Sequence, residues 1–230
     1  MGKNPGKARF TKGKKTRDEI VEHALRVAAV EGLGAISIGR LAKELKMSKS
    51  GLFAHFGAKG QLERAVVERA HTIFFNRILV PAEEVKAGIE RVWSLCDYWL
   101  EFVEQPALPG GYFFTGAFFE NAEQARPIAG RIREIADEWF TALRRAVDGA
   151  RSREEIRRQV DAKRAAFELN SLLIGAHLSR LLLHKDFTSA RSAVLSKIAS
   201  LATEKIPASA FGSVKDWKRY LESRRKVTVP

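Results

Sequence analysis

Cysteine is almost absent from this sequence of 230 residues, which contains only one, Cys96. A single thiol excludes an internal disulfide framework and suits a reducing compartment, so we expect a cytoplasmic protein. Long apolar runs are absent too, since none approaches the roughly 18 residues that a membrane-spanning helix needs. The basic N-terminus is not followed by the apolar segment of a secretory signal. We therefore expect no membrane partner.

Acidic residues are few relative to basic ones. The chain has 27 Asp and Glu against 40 Lys and Arg, a formal net charge of +13. Residues 1–64 carry 14 basic and 6 acidic side chains, so +8 of the excess falls in little more than a quarter of the length. Positive charge concentrated in this way is typical of a phosphate-binding surface. A basic segment that only aids solubility or binds anionic membranes is the alternative.

The first 15 residues contain six basic side chains, no acid and almost no apolar residue. A segment of this composition cannot bury enough surface to order itself, so we predict a disordered basic arm over residues 1–15. The basic residues are Lys3, Lys7, Arg9, Lys12, Lys14 and Lys15.

A capping box follows the arm. Thr16 and Glu19 have the spacing at which each side chain satisfies a free amide at a helix start, so the first helix is expected to begin there. Gly32 and Gly34 are natural left-handed caps and are expected to end it.

Two further N-caps lie close together at Ser37 and Ser48. Each is flanked by an apolar pair at the spacing of a hydrophobic staple, which fixes the angle at which the chain enters a helix. The pairs are Ile36 with Leu41 and Met47 with Leu52. Two stapled short helices separated by three residues predict a compact helix-turn-helix.

The remaining sequence shows helical periodicity and no convincing strand, so we predict an all-α fold. The proposed domains are residues 1–15 as the arm, 16–62 as a helix-turn-helix DNA-binding domain, 63–206 as a helical-bundle effector and dimerisation domain, and 207–230 as a basic C-terminal tail of doubtful order. Further helices are expected at about 59–79, ending at Pro81, and at 82–104, 112–120, 127–150, 153–184 and 188–204.

The second helix of such a motif enters the major groove and places its N-terminal residues at the base edges. Lys49 could donate to guanine and His55 to a phosphate, while Phe53 could only pack. The predicted DNA-contacting residues are Ser37, Arg40, Ser48, Lys49, Ser50, Gly51, Phe53, His55 and Lys59. The alternative for the charged residues is a solvated surface, and for Phe53 and Phe56 a place in the core.

Residues 32–62 closely resemble the DNA-binding domain of the TetR (tetracycline-repressor-like) transcriptional regulators. The resemblance rests on the small helix-turn-helix and its ending, Phe53-Ala54-His55-Phe56 followed by Lys59. It extends over about 45 residues, from Thr16 to Leu62. It implies an all-helical homodimer with a variable C-terminal domain that binds a small effector and moves the two DNA-binding heads.

Four residues depart from the pattern of that family. Lys46 stands at the turn where the family usually has Gly, so a non-glycine residue is expected to adopt a left-handed conformation at a cost of about 1 kcal/mol. Phe53 replaces the usual Tyr and loses one hydroxyl contact to phosphate. Ala58 and Gly60 replace the common Ser and Glu, which removes a cap from the following helix.

The C-terminal region is rich in aromatic residues that could line an effector pocket. Because a helical bundle needs such residues as core, each of them has that alternative, and His177 could equally be a core or interface histidine. As a set they favour an apolar or aromatic effector over a sugar. The candidate effector-binding residues are Trp93, Tyr98, Trp99, Phe102, Phe114, Phe118, Trp139 and His177.

The helices at about 160–184 and 188–204 combine small residues with leucines, which suits close packing in an isologous four-helix interface between two chains. Packing within one subunit is the alternative for these faces. The leading hypothesis is a homodimeric repressor that binds a palindromic DNA operator and is released by a small molecule, with no cofactor, metal or catalytic residue.

Two other functions fit parts of the sequence. One is a sequence-nonspecific DNA-architectural protein. The other is a helical enzyme, suggested by the Glu-x-x-His pair of Glu68 and His71, although helical di-iron sites need a second such pair and further carboxylates.

Overall fold

The structure is a computed structural model that describes residues 5–105, 113, 114, 116, 117, 127–184 and 186–226. Every named element within these residues is helical, and one isolated antiparallel bridge joins Ile156 to Ala202. The all-α prediction is confirmed. None of the described helices is both long enough and apolar enough to cross a membrane. The α-helices are α1 Pro5–Glu31, α2 Ile38–Glu44, α3 Lys49–Phe56, α4 Lys59–Phe74, α5 Val80–Glu84, α6 Ile89–Glu104, α7 Pro127–Ser152, α8 Ala162–Leu183, α9 Thr188–Leu201 and α10 Val214–Lys226.

The chain divides into two compact units. The first contains Met1–Ile73 and Pro106–Ile135, and the second contains Phe74–Gln105 and Ala136–Pro230. The first unit is larger than the expected domain 16–62, because α4 continues to bury apolar side chains beyond Leu62. Val66, Val67 and Ala70 are all buried.

Helix α1 begins at Pro5, so the disorder expected for residues 1–15 is corrected from Pro5 onward. Residues 1–4 lie outside the described part of the chain. Proline fits the first turn of a helix, where its missing N–H is not needed. Lysine, arginine and alanine follow it, and all three have high helix propensity. The Thr16–Glu19 capping box therefore lies inside α1 instead of at its start.

The helical path does not stop at Pro81, contrary to expectation. A π-helical turn, Phe75–Leu79, follows α4, and α5 then carries Pro81 in its first turn. A proline ring clashes with the carbonyl four residues earlier in a regular helix. The π-helical turn before Pro81 uses hydrogen bonds that span five residues instead of four, as from Val80 N to Phe75 O, so the proline does not follow a regular α-helical turn.

Gly88 and Glu155 determine where α6 begins, seven residues after the expected residue 82. Gly88 has φ +130°, and a Cβ at this position would lie 2.2 Å from Glu155 Oε2. The same oxygen accepts a hydrogen bond of 2.8 Å from the Ile89 N–H. Glu155 is buried, and its other oxygen accepts from Arg224 Nη2 at 2.7 Å. A distant carboxylate thus caps α6, since Gly88 has no side chain to do so.

Helices α6, α8 and α9 pack against one another in the second unit, and α10 packs against α9. The expected helices at 127–150 and 153–184 are observed as α7 and α8 with a longer separation. Asp161 supplies the N-cap of α8, accepting from Lys163 N at 2.8 Å and Arg164 N at 3.0 Å. These bonds lower the pKa of the Asp161 carboxyl, first through the Arg164 amide.

The predicted C-terminal tail is corrected, because residues 207–226 contribute to the core of the second unit. A 3₁₀ turn, Ala208–Phe211, leads into α10, whose Trp217 is fully buried. The Trp217 ring stacks on Phe211 with centroids 5.1 Å apart and meets Trp93 at 6.3 Å. Trp217 and Leu221 are one helical turn apart and form an apolar stripe, which the surrounding lysines and arginines obscure in the sequence.

Candidate nucleic-acid interface

Helices α2 and α3 form the predicted helix-turn-helix in the first unit and pack against each other. Both serine caps are confirmed. Ser37 Oγ accepts from Arg40 N at 3.2 Å, and Ser48 Oγ accepts from Gly51 N at 3.0 Å. The staple residues Ile36, Leu41 and Leu52 are fully buried, and Met47 is half-buried. The local sequence therefore fixes where each helix starts.

The turn between the two helices is closed by backbone hydrogen bonds. Met47 N donates to Ala42 O at 2.8 Å and Lys46 N donates to Lys43 O at 3.3 Å, the paired pattern of a Schellman motif. Lys46 occupies the left-handed position with φ +54°, as the sequence predicts. This conformation is strained for a residue with a side chain.

Helix α3 has a buried side and an exposed side. Leu52 and Phe56 are buried, whereas Lys49, Ser50 and Phe53 are exposed, Phe53 by 50%. Lys49 and Phe53 are four residues apart, so they share one helical face. The structure thus brings the predicted contacts at the start of α3 onto one accessible surface. Ser48 is exposed beside them.

Lys49 is the cation of α3 with the greatest freedom to bind an anion. Its side chain makes no hydrogen bond or ion pair with the described residues. Its stem passes over α2, where a Cβ built on Gly39 would lie 3.5 Å from Lys49 Cε. The ammonium group is therefore available, and the stem runs beside Gly39 of α2.

The remaining candidates on α3 have different surroundings. His55 is half-buried, with its ring 6.4 Å from that of Phe56. A Cβ at Gly51 would lie 2.9 Å from Ser48 Oγ, so glycine leaves room for the N-cap hydrogen bond. Lys59, at the start of α4, donates to Gly34 O at 3.3 Å and is 3.5 Å from Glu63. Ala58 adds no side-chain cap there, and its carbonyl accepts from Leu62 N.

Arg40 is engaged within the protein, which the sequence did not indicate. Its Nη1 and Nη2 donate to the two carboxylate oxygens of Glu31 at 2.6 and 2.7 Å. Its Nε donates to Glu44 at 2.8 Å. The hydrogen bonds from Arg40 lower the pKa of both carboxyls, and the bonds to Glu31 and then Glu44 raise that of Arg40. Two carboxylates thus hold Arg40 within the protein, and its contact with DNA stays a prediction.

Most candidate effector residues are buried. Trp93, Trp99, Phe102, Trp139 and His177 belong to the second unit, and Phe114 belongs to the first. Tyr98 is half-buried, and Phe118 lies outside the described residues.

Phe74 is the centre of an aromatic cluster in the second unit. Its ring meets those of Phe102 and Trp139 edge to face, at 5.9 and 5.7 Å. Trp139 Nε1 donates to Asn170 Oδ1 at 2.9 Å, so Asn170 is a polar group that sequence analysis missed. The ring centroids of His177 and Trp99 are 6.4 Å apart, and burial lowers the pKa of His177. This packing suits a core as well as the wall of an apolar site.

The Glu68 and His71 pair contacts an arginine in the first unit. Arg131 donates to both Glu68 oxygens, at 2.8 and 3.1 Å, and approaches His71 Nδ1 at 3.3 Å. The bonds from Arg131 lower the pKa of Glu68. A guanidinium in this position would repel a metal ion, so the geometry does not favour the di-iron alternative. The described residues include no cluster of three or more metal-ligating side chains.

Two family models match the sequence. Residues 20–66 match the model of bacterial regulatory proteins of the tetR family, and this range includes the whole helix-turn-helix. Residues 88–194 match the model of the tetracyclin repressor-like C-terminal domain, which begins next to α6.

Individual proteins are also similar. The nucleoid occlusion factor SlmA of Vibrio atlanticus is 27% identical over 161 residues, which are 69% of this chain and 80% of that protein. A TetR transcriptional regulator from Chloroflexus aurantiacus has a TM-score of 0.76 and 26% identity, covering 84% of this chain and 98% of that one. AibR, solved with isovaleryl coenzyme A and operator DNA, has a TM-score of 0.59 and 20% identity over 70% of this chain and 85% of its own, which indicates a shared fold.

Lys46→Gly should raise the free energy of unfolding by about 1 kcal/mol, because glycine tolerates the left-handed conformation. Lys43→Gly is the matched control, since it removes the same side chain from helical backbone in α2. That variant should lose about 1 kcal/mol. Urea denaturation measures both, and destabilisation by Lys46→Gly would contradict the strain assigned to the turn.

Proposed function

Because the chain belongs to the TetR family of transcriptional regulators, we propose that it is a homodimeric repressor that binds a palindromic operator and leaves it when a small molecule binds. The observation that carries the proposal is the exposure of Lys49 at the start of α3. This residue is an exposed cation, without a partner in the described part of the chain, in the first turn of α3. The first turn is the part of a recognition helix that reaches base edges in the major groove.

The proposed contacts follow from side-chain chemistry. Lys49 donates to guanine O6 or N7, and Ser50 donates to a base edge or a phosphate. Phe53 has no hydroxyl group and contacts DNA through its ring alone. His55, Lys59, Ser37 and Ser48 are proposed phosphate contacts at the rim, and Gly51 allows the backbone to approach.

The basic segment of residues 1–15, which from Pro5 onward belongs to α1, supplies further contacts to the DNA backbone in this proposal. Residues 1–15 carry six lysines and arginines and no acid. Lys14 and Lys15 are exposed. Such charges strengthen binding to any sequence and make it dependent on salt, because each phosphate contact releases counterions.

A dimer is proposed through α8 and α9. Helix α8 exposes large apolar side chains, notably Leu182 by 75% and Leu183 by 63%, together with Leu181 and Phe167. A concentration of exposed apolar residues on one helix marks an interaction surface in a soluble protein. An isologous interface has two-fold symmetry, and this is the symmetry of a palindromic operator.

The proposed effector is apolar or aromatic. The aromatic cluster around Phe74 is where such a compound would find complementary rings, and Asn170 adds a polar group beside Trp139. AibR is a protein of the same fold with bound isovaleryl coenzyme A, whose acyl group is apolar. Effector binding would favour a spacing of the two DNA-binding heads that no longer fits the operator.

One observation favours a second function. The curated relatives include SlmA proteins, which are named as nucleoid occlusion factors. A protein of this chain's charge could act as a DNA-architectural factor with little sequence preference. The two proposals differ in specificity, since a repressor binds its own site typically a thousandfold or more better than other DNA.

Selection of bound fragments from random DNA tests the leading proposal. A repressor should enrich one palindromic sequence, with half-sites about one helical turn apart. Repeating the selection with apolar and aromatic compounds should identify effectors that abolish enrichment. Binding without any preferred sequence would contradict the repressor and support the architectural protein.

Lys49→Ala should weaken binding to the selected site by about tenfold and should relax the preference at one base pair, because a base contact is worth about 1–3 kcal/mol. Lys43→Ala is the control, since it removes an exposed lysine from α2 outside the predicted set. Fluorescence anisotropy gives both affinities. Wild-type affinity and specificity in Lys49→Ala would exclude Lys49 as a base contact.

Leu182→Glu should convert the dimer to a monomer, because a buried unpaired carboxylate at an apolar interface is costly. Lys163→Glu, an exposed position near the other end of α8, is the matched control and should leave the dimer intact. Sedimentation equilibrium distinguishes the two states. A dimeric Leu182→Glu protein would place the interface elsewhere.

A further inference from the structure

Four side chains of α1 and α2 form a network that we call the α1–α2 clamp: Glu31, Arg40, Glu44 and His23. Arg40 donates two hydrogen bonds to Glu31, at the last residue of α1, and one to Glu44. His23 Nε2 is 2.6 Å from Glu44 Oε2. Because a carboxylate can only accept, His23 Nε2 is the donor to Glu44, and Arg26 Nη2 lies 3.4 Å from His23 Nδ1.

The clamp holds α2 near both ends. Arg40 is in the first turn of α2 and is tied to the end of α1, while Glu44 is the last residue of α2 and is tied to the middle of α1. Helix α2 is only seven residues long and buries two side chains, Leu41 and Ala42. The turn at Lys46 fixes how α3 follows α2, but so small an apolar contact leaves the seating of α2 on α1 to polar contacts. The planar Arg40 guanidinium is hydrogen-bonded along two edges, so it fixes the orientation of α2 as well as its distance from α1.

Charge opposes a direct contact between Arg40 and DNA. Two carboxylates share the single guanidinium, so a phosphate brought to this point would meet negative charge. If Arg40 turned towards the DNA, both carboxylates would remain beside the phosphates without their partner. Lys49, in contrast, has no such neighbour among the described residues.

Helix α2 also lies beside the residue that is proposed to read the bases. The Lys49 stem runs next to Gly39, the residue that precedes Arg40, since a Cβ added at Gly39 would be in van der Waals contact with Lys49 Cε. A rotation of α2 would therefore change the space that is open to the Lys49 stem. The orientation of α2 and the position of the Lys49 ammonium group are thus coupled.

We propose that Arg40 is a positioning residue: through the α1–α2 clamp it sets the orientation of α2 and hence the aim of Lys49, without contacting the operator itself. This inference rests on the proposed function as a sequence-specific DNA-binding protein. Isolated exposed ion pairs add little stability, but bidentate geometry and networks are the exception. The clamp therefore acts chiefly on specific binding and only weakly on the melting temperature.

Arg40→Lys and Glu31→Gln test the proposal together. Lysine keeps the charge but cannot bridge two carboxylates with a planar fork. Glutamine at position 31 removes a negative charge from the DNA-binding head. Electrostatics alone predicts tighter binding for Glu31→Gln, whereas the clamp predicts weaker binding to the operator.

Glu22→Gln is the matched control. Glu22 is on α1 with 38% of its side chain exposed, compared with 46% for Glu31, and it pairs with Arg69 of α4. Its loss removes the same charge from the same helix without affecting α2.

Both test variants should bind the selected operator about tenfold more weakly than wild type, since a loosened supporting contact misplaces the reading residue. For unrelated DNA, the affinity and the salt dependence of Arg40→Lys should match those of wild type, which has the same charge. Those of Glu31→Gln should match the values of Glu22→Gln for the same reason. Wild-type operator affinity in Arg40→Lys would identify Arg40 as a simple phosphate contact. Operator affinity in Glu31→Gln equal to or above that of Glu22→Gln would overturn the clamp.

Hydrogen exchange decides the structural part of the proposal without any operator. Residues 38–56 should exchange faster in Glu31→Gln than in Glu22→Gln, while the melting temperatures of the two proteins stay close. Equal exchange in both would also overturn the clamp. If wild type prefers no DNA sequence, the proposed function fails, and hydrogen exchange still reports separately on the clamp.

Discussion

The turn at Lys46 is the constraint on which the DNA-binding head depends. Two carbonyls at the end of α2 accept from Lys46 and Met47, and this pattern requires one left-handed residue. The angle between α2 and α3 follows from it, and so does the burial of Leu52 on one side of α3. The exposed side then carries Lys49. A strained lysine occupies the position where glycine would relax the backbone.

Local rules predicted most of this head. The serine caps and the staples follow from residues within a few positions of each other, the left-handed Lys46 follows from the family resemblance at the turn, and each is observed. The role of Arg40 could not be predicted in the same way. Its partner Glu31 is nine residues away in the sequence, and only the packing of α1 on α2 brings them together. Charge composition alone marks Arg40 as one more cation.

The second unit was harder to predict because it, too, depends on contacts between residues that are far apart in the sequence. Helical periodicity predicted α6, α8 and α9 but not α10, and the cap of α6 comes from Glu155, which is 66 residues away. Composition also hid Trp217 among basic residues, although it is fully buried. Aromatic residues in a helical bundle serve as core and as pocket walls alike. The sequence therefore could not separate these two roles for Trp99 or Phe102.

The burial of Trp217 against Trp93 has a consequence for synthesis of the protein on the ribosome. Residues of α6 leave the ribosome more than a hundred residues before Trp217 does. During that interval the Trp93 ring lacks its partner Trp217. Glu155, which caps α6 at Ile89, also lacks its hydrogen bond from Arg224. The second unit therefore completes its core only after α10 has emerged, and part of its apolar surface stays uncovered until then.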